Sequence, residues 1–153
     1  MGRRGTAVRR ALAGILAGAV LAACGNAAAP PFGDPDASGE ALFRAYSELL
    51  VERDAAGLEA VLGSAFLVQR ADGSRADRTT FLATLPELRA FELADVEEAR
   101  GDGIVSVRAM ATADLVVDGV TYAMDPAPML AVFHWVDGRW LLEAQGNFNH
   151  PSR

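Results

Sequence analysis

Three Asp-Gly dipeptides punctuate the second half of the chain: Asp102-Gly103, Asp118-Gly119 and Asp137-Gly138. Between and around them lie apolar-rich runs at residues 88–99, 104–117, 120–136 and 139–148. Asp tolerates left-handed backbone and Gly has no Cβ to clash there, so the pair suits a two-residue hairpin with positive φ at both central positions. Runs with an apolar period of two, separated by such turns, describe an antiparallel meander. The third run is interrupted by Asp125-Pro126-Ala127-Pro128; the prolines have no N–H to give a ladder, which predicts a bulge, an edge or a loop. A one-residue slip there exchanges the faces of everything that follows. Runs of 14 and 17 residues exceed the usual strand of about 5–6 residues, and long strands twist, so the sheet should curl.

The period differs ahead of residue 88. Ser38 can cap a helix in which Leu42, Ala45, Tyr46, Leu49 and Leu50 form one apolar stripe. Asp54 can cap a shorter helix with Leu58, Val61 and Leu62 inward. Residues 65–70 read as a strand ending at the turn pair Asp72-Gly73, and residues 77–85 as a third helix stopped by Pro86. Helices first and a meander afterwards give an α+β fold, with a curled antiparallel sheet packed on about three N-terminal helices.

The first 23 residues hold Arg3, Arg4, Arg9 and Arg10, no acid, and then a short apolar run from 11 to 23. A basic segment followed by an apolar run too short for a permanent span is the pattern of an export signal. The run ends in Leu21-Ala22-Ala23-Cys24-Gly25, which resembles the bacterial lipobox. The resemblance implies cleavage before Cys24, acylation of its thiol, and attachment to the extracytoplasmic face of a bacterial membrane. Cys24 is the single cysteine, so no intrachain disulfide can form. Two or three acyl chains, at about 0.8 kcal/mol per buried methylene, anchor stably where one would not. The arginine pairs leave both the general secretory and the twin-arginine route open, without the consensus the second expects. Residues 1–23 are thus expected as a signal peptide, 24–37 as the lipidated Cys and a Gly/Pro/Ala-rich tether, and 38–150 as one domain.

The processed chain has 130 residues, enough for one core. It carries ten arginines, no lysine and 20 acids, a formal charge of −10. Nucleic acid and anionic lipid are therefore unsuitable partners, and the bilayer is met through acylated Cys24.

The order of elements, with Phe43-Arg44-Ala45-Tyr46, Asp54-Ala55-Ala56-Gly57-Leu58, Arg70-Ala71-Asp72-Gly73, Val132-Phe133-His134-Trp135, Gly138-Arg139-Trp140 and Asn147-Phe148-Asn149, resembles the nuclear transport factor 2-like superfamily. That superfamily also contains ketosteroid isomerases and SnoaL-type polyketide cyclases. The resemblance spans about residues 38–150 and implies a cone-shaped roll with a cavity under the sheet. The fold hosts enzymes, binders and adaptors alike. Isomerases carry a general-base carboxylate on the first strand; here Gln69 and Arg70 stand nearest, and neither can take a proton at neutral pH. Tyr46 matches the first-helix position of the isomerases' oxyanion-stabilising tyrosine, whereas Gln145 stands where many relatives have histidine.

Six residues are candidates for a pocket. Tyr46 either points its hydroxyl into the cone or is a core tyrosine with its hydroxyl at the rim. His134 either serves as an acid/base or ligand group or is merely packed in its strand. Arg108 either binds an anion inside or pairs with an acid outside. Glu143, Gln145 and Asn147 alternate along the last run and so share one face, lining a pocket mouth or facing solvent. Trp135 and Trp140 flank the last turn as a cross-strand pair. No metal-binding motif, phosphate loop or Gly-x-Ser-x-Gly elbow occurs, and no cofactor is expected. Two functions lead, with a module that assists a larger envelope complex as a third. One is a non-catalytic accessory lipoprotein that binds a small hydrophobic ligand or dimerises through its outer sheet face, since residues 104–117 are apolar on both faces. The other is a cyclase-, isomerase- or dehydratase-type enzyme using Tyr46, Arg108 and His134.

Overall fold

A computed structural model describes residues 31–149. The expected signal peptide, Cys24 and the first part of the tether lie outside the described residues. Within them a 3-10 turn, η1 (Pro31–Gly33), leads to helices α1 (Gly39–Glu52) and α2 (Ala55–Val61). Strands β1 (Leu62–Arg70) and β2 (Arg75–Asp77) form a hairpin before α3 (Arg78–Ala83). Then come β3 (Glu87–Gly101), β4 (Ile104–Val117), the two-residue β5 (Val120–Thr121), β6 (Ala127–Val136) and β7 (Arg139–Asn147).

The helices start where their caps place them. Ser38 Oγ accepts from Ala41 N–H, Asp54 from Gly57 N–H and Asp77 from Thr80 N–H, each satisfying a donor that the first helical turn leaves free. Helix α3 stops at Ala83, two residues short of the expectation, as Pro86 approaches. All three Asp-Gly pairs have positive φ at both residues, as the hairpin geometry demands.

The seven-stranded sheet runs β2-β1-β7-β6-β4-β3, with β5 beside β4. The expectation of a purely antiparallel sheet is corrected at one pair: β1 lies parallel to β7. No hairpin constrains these strands, because β1 comes from the helical half and completes the edge that the meander leaves free. The sheet is strongly curled. Bulges at Leu88/Ala90 and Ala94/Glu97 bend β3, the second holding Asp95 at φ 49°. The proline segment leaves a loop after β5, and β6 resumes at Ala127 with Pro128 near its start.

Helices and sheet meet over one core. Leu42, Phe43, Tyr46 and Leu50 of α1 face Val105, Val107, Ala109, Ala131 and Phe133 on the concave side, all buried. Phe66 and Phe81 meet edge to face at 5.2 Å, as do Trp135 and Trp140 across the last hairpin. The described part of the expected tether, residues 31–37, is packed against the body. Phe32 and Ala37 are buried, Trp140 Nε1 donates to the Asp34 carbonyl at 2.9 Å, and Arg100 donates to the carbonyls of Pro35 and Ala37. Side-chain donors on its backbone carbonyls and the buried Phe32 ring hold this segment, and neither leaves a trace in apolar periodicity.

Candidate functional site

Cross-strand partners share a face, so the register fixes where each candidate side chain stands. Ala109 lies opposite Met129 and Ala111 opposite Ala127; Met129 lies opposite Asn147 and Ala131 opposite Gln145. Beyond β7, Gln145 neighbours Val68 and Asn147 neighbours Arg70. These residues face the concave side, where the curl of β3 and β4 holds the sheet away from α1 and α3. The gap is a cavity of about 50 Å³, room for roughly four waters.

Its walls are apolar, with Leu50, Phe81, Leu88, Leu93 and Met129 among them, and its polar groups are Tyr46, Ser47, Arg70, Gln145, Asn147 and Asn149. Tyr46 donates its hydroxyl to Gln145 Oε1 at 2.8 Å, inside the core. Burial pushes the Tyr46 hydroxyl far above the usual tyrosine range, so it stays protonated. Ser47 Oγ donates to the Phe43 carbonyl. Asn147 Oδ1 accepts the Asn149 N–H at 2.9 Å, while Asn149 Nδ2 donates to the Ala123 carbonyl. Arg70, 9% exposed, donates through Nη1 to Ser74 Oγ at 3.3 Å.

Of the six residues predicted from sequence, the cavity brings together Tyr46, Gln145 and Asn147. The other three stand elsewhere. Arg108 lies on the convex face with Nη1 3.2 Å from Glu97 Oε2, the outer-face ion pair. His134 also faces outward, opposite Ile104 and Leu141. Glu143 is corrected from the shared face: it is the extra residue of a bulge between Leu142 and Ala144, which removes it from the Gln145–Asn147 row. Its carboxylate lies over the backbone of Gly63, at the place a Cβ would occupy. His134 and Glu143 instead border an open depression of about 610 Å³ with Glu59, Arg78 and Arg139. That hollow is wider than the cavity but open to solvent. It is a less suitable site for a small ligand, since concave apolar enclosure is what removes a ligand from water. Among the described residues no three His, Cys, Asp or Glu cluster as metal ligands would.

Three polar cavity residues escaped the sequence reading, Ser47, Arg70 and Asn149. Arg70 follows Phe66 and Val68 by period two, so its inward direction was available from alternation alone. Asn149 lies past the last strand and carries no such signal.

A helix layer inside a curled sheet, with a cavity at the centre, is shared by solved structures. The fold is nuclear transport factor 2-like. A nuclear transport factor 2-like protein from Cytophaga hutchinsonii matches with a TM-score of 0.62 and 18% identity, over 71% of this chain and 96% of its own. A nuclear transport factor 2-like protein of unknown function in nutrient uptake from Rhodospirillum rubrum matches with a TM-score of 0.57 and 22% identity, over 71% and 96%. A protein provisionally named scytalone dehydratase from Novosphingobium aromaticivorans matches with a TM-score of 0.54 and 13% identity, over 74% and 81%. No protein-family model matches the chain, and no curated protein matches it in sequence. The nuclear transport factor 2-like fold places a first-helix tyrosine and a last-strand glutamine together here, a hydrogen bond across 99 residues of sequence.

Proposed function

We propose that this protein is a lipid-anchored, extracytoplasmic binder of a small, largely apolar ligand, and that it does not catalyse. One observation carries the reading: the cavity offers apolar walls and a few convergent polar groups, and its described lining contains no Asp, Glu, His or Cys. Such a lining can hold and orient a ligand. It lacks a group that would take a proton at neutral pH. Tyr46, kept protonated by burial and already donating to Gln145, does not serve as a base. The anchor is inferred from the basic segment, the apolar run and Cys24 in sequence.

Two experiments test this. Thermal unfolding of the full protein with a panel of small apolar molecules should show saturable stabilisation that follows ligand concentration. A transition unmoved by every member would overturn the binding role. For the anchor, Cys24→Ser should leave the precursor unprocessed or released from membranes; equal detergent-phase partitioning of variant and parent would overturn it.

A second occupant is proposed for the convex face, another copy of the chain. Leu67, Ile104, Leu130 and Phe148 are each more than two-fifths exposed. The rows Leu67–Ala144–Val132 and Gly146–Leu130 join three of these strands, with the Phe148 ring against Gly146. A contiguous apolar patch, unlike scattered exposed side chains, suits a self-complementary interface.

The enzyme reading is favoured by one feature, the Tyr46 hydroxyl at the cavity, and by the dehydratase name of one structural neighbour. It requires a base that the described lining does not supply. Turnover of a small hydroxylated substrate, lost in Tyr46→Phe, would establish it over simple binding.

A further inference from the structure

We infer that the cavity's ligand is a small monocarboxylate with an apolar body, its carboxylate received by Arg70 with Asn147 and Gln145 beside it; this rests on the cavity being a ligand site. Among the described residues no carboxylate lies within ion-pair distance of Arg70. A guanidinium nine-tenths removed from water, whose nearest carboxylate, Asp72, acts on it only from beyond ion-pair contact, is a costly arrangement, and an arriving anion offsets the cost. The nearest acid in sequence, Asp72, is exposed and already engaged. Its carboxylate accepts from Ser74 N–H at 2.8 Å and from the Tyr122 hydroxyl at 2.9 Å.

Donor and acceptor accounting points the same way. Gln145 Oε1 is taken by Tyr46 and Asn147 Oδ1 by Asn149 N–H. The N–H groups without a partner at that end are the NH₂ of Gln145, the NH₂ of Asn147 and those of Arg70 that Ser74 does not take, so donors outnumber the second lone pairs left on Gln145 Oε1, Asn147 Oδ1 and the Tyr46 hydroxyl. The carbonyl of Asn149 is a further acceptor, since its Nδ2 serves Ala123. No described buried side-chain nitrogen or oxygen is both sealed from water and unpartnered. These spare donors therefore open onto accessible space, and Arg70, Gln145 and Asn147 all line the cavity. A planar guanidinium flanked by amide donors matches the two oxygens of a carboxylate. A phosphate dianion would bring a second charge into a site with one cation and apolar walls.

The probes are acetate and propionate, short enough for a cavity of about 50 Å³, each against its neutral amide, titrated at pH 7 into the full protein in non-ionic detergent and followed by ligand-observed NMR. Each carboxylate should bind about ten- to a hundredfold more tightly than its amide, the range expected of a charge-assisted hydrogen-bonded pair. Arg70→Gln should abolish that preference while leaving amide binding in place, and Arg70→Lys should keep part of it. Should Arg70→Gln fail to fold, the ratio in the parent and the Arg70→Lys response decide. Equal binding of acid and amide would overturn the carboxylate assignment and leave the ligand site standing. Tighter binding of methyl phosphate than of acetate would do the same. If no probe binds at millimolar concentration, both readings fall.

Discussion

Tyr46 shows how much one side chain can settle. Its ring fills the core beside Phe43 at a centroid distance of 6.5 Å, and its hydroxyl has one partner, Gln145 Oε1. Replacing it with Phe keeps the ring and strands a buried acceptor, which costs about 1–3 kcal/mol. Urea unfolding of Tyr46→Phe should show a lower midpoint with unchanged slope; an unchanged midpoint would mean that water already serves Gln145. The same hydroxyl predicts a pH dependence with a definite sign. Its folded pKa is raised, by burial first, above the unfolded value of about 10. The stability it contributes is therefore fully present below pH 10 and is lost as pH rises beyond it. Tyr122, raised by burial and then by its bond to Asp72, acts with the same sign. Alkaline unfolding should accordingly be steeper in the parent than in Tyr46→Phe, with the Tyr122 share persisting in both.

At the scale of elements, two glycines separate two reasons for having no side chain. Gly39 opens α1 against the sheet: a Cβ there would run into the Val107 side chain and sit 2.9 Å from Val105 Cγ1. Gly39 N–H also donates to Glu98 at 2.5 Å, tying the helix start to β3. Gly138 has φ +81° with open space around it. Alanine at Gly39 should destabilise by about 1–3 kcal/mol through overpacking. Alanine at Gly138 should cost about 1–2 kcal/mol through backbone strain. Combining each with Val107→Ala distinguishes them in a double-mutant cycle by denaturation. The Gly39 penalty should be partly relieved, whereas the Gly138 penalty should simply add.

For the whole molecule, the two faces of the curled sheet differ in character. The concave face holds the core and the cavity, and the convex face presents the patch around Leu130 between charged neighbours such as the Arg108–Glu97 pair. If that patch is an interface between copies, light scattering at tens of micromolar should report a dimer. Leu130→Glu should then yield a monomer with an unchanged circular dichroism spectrum, since two like charges would meet in an apolar contact. A monomeric parent would remove the proposal without touching the cavity.

The sequence by itself determined the elements and their order, because what sets them is local. Caps at Ser38, Asp54 and Asp77 and turns at the three Asp-Gly pairs are decided by bonds and φ angles within a few residues. The tertiary structure alone decided phase and non-local pairing. The slip expected at the prolines of 126–128 falls instead at Glu143, where β7 meets β6 on one side and the parallel β1 on the other. That single extra residue turns Glu143 outward and leaves Gln145 and Asn147 inside. It is invisible in the alternation of one strand, because a bulge is a property of two strands in register. Arg70 shows the same division: its period-two position made it inward, but only the neighbours brought beside it by the fold leave its guanidinium without a carboxylate in ion-pair contact.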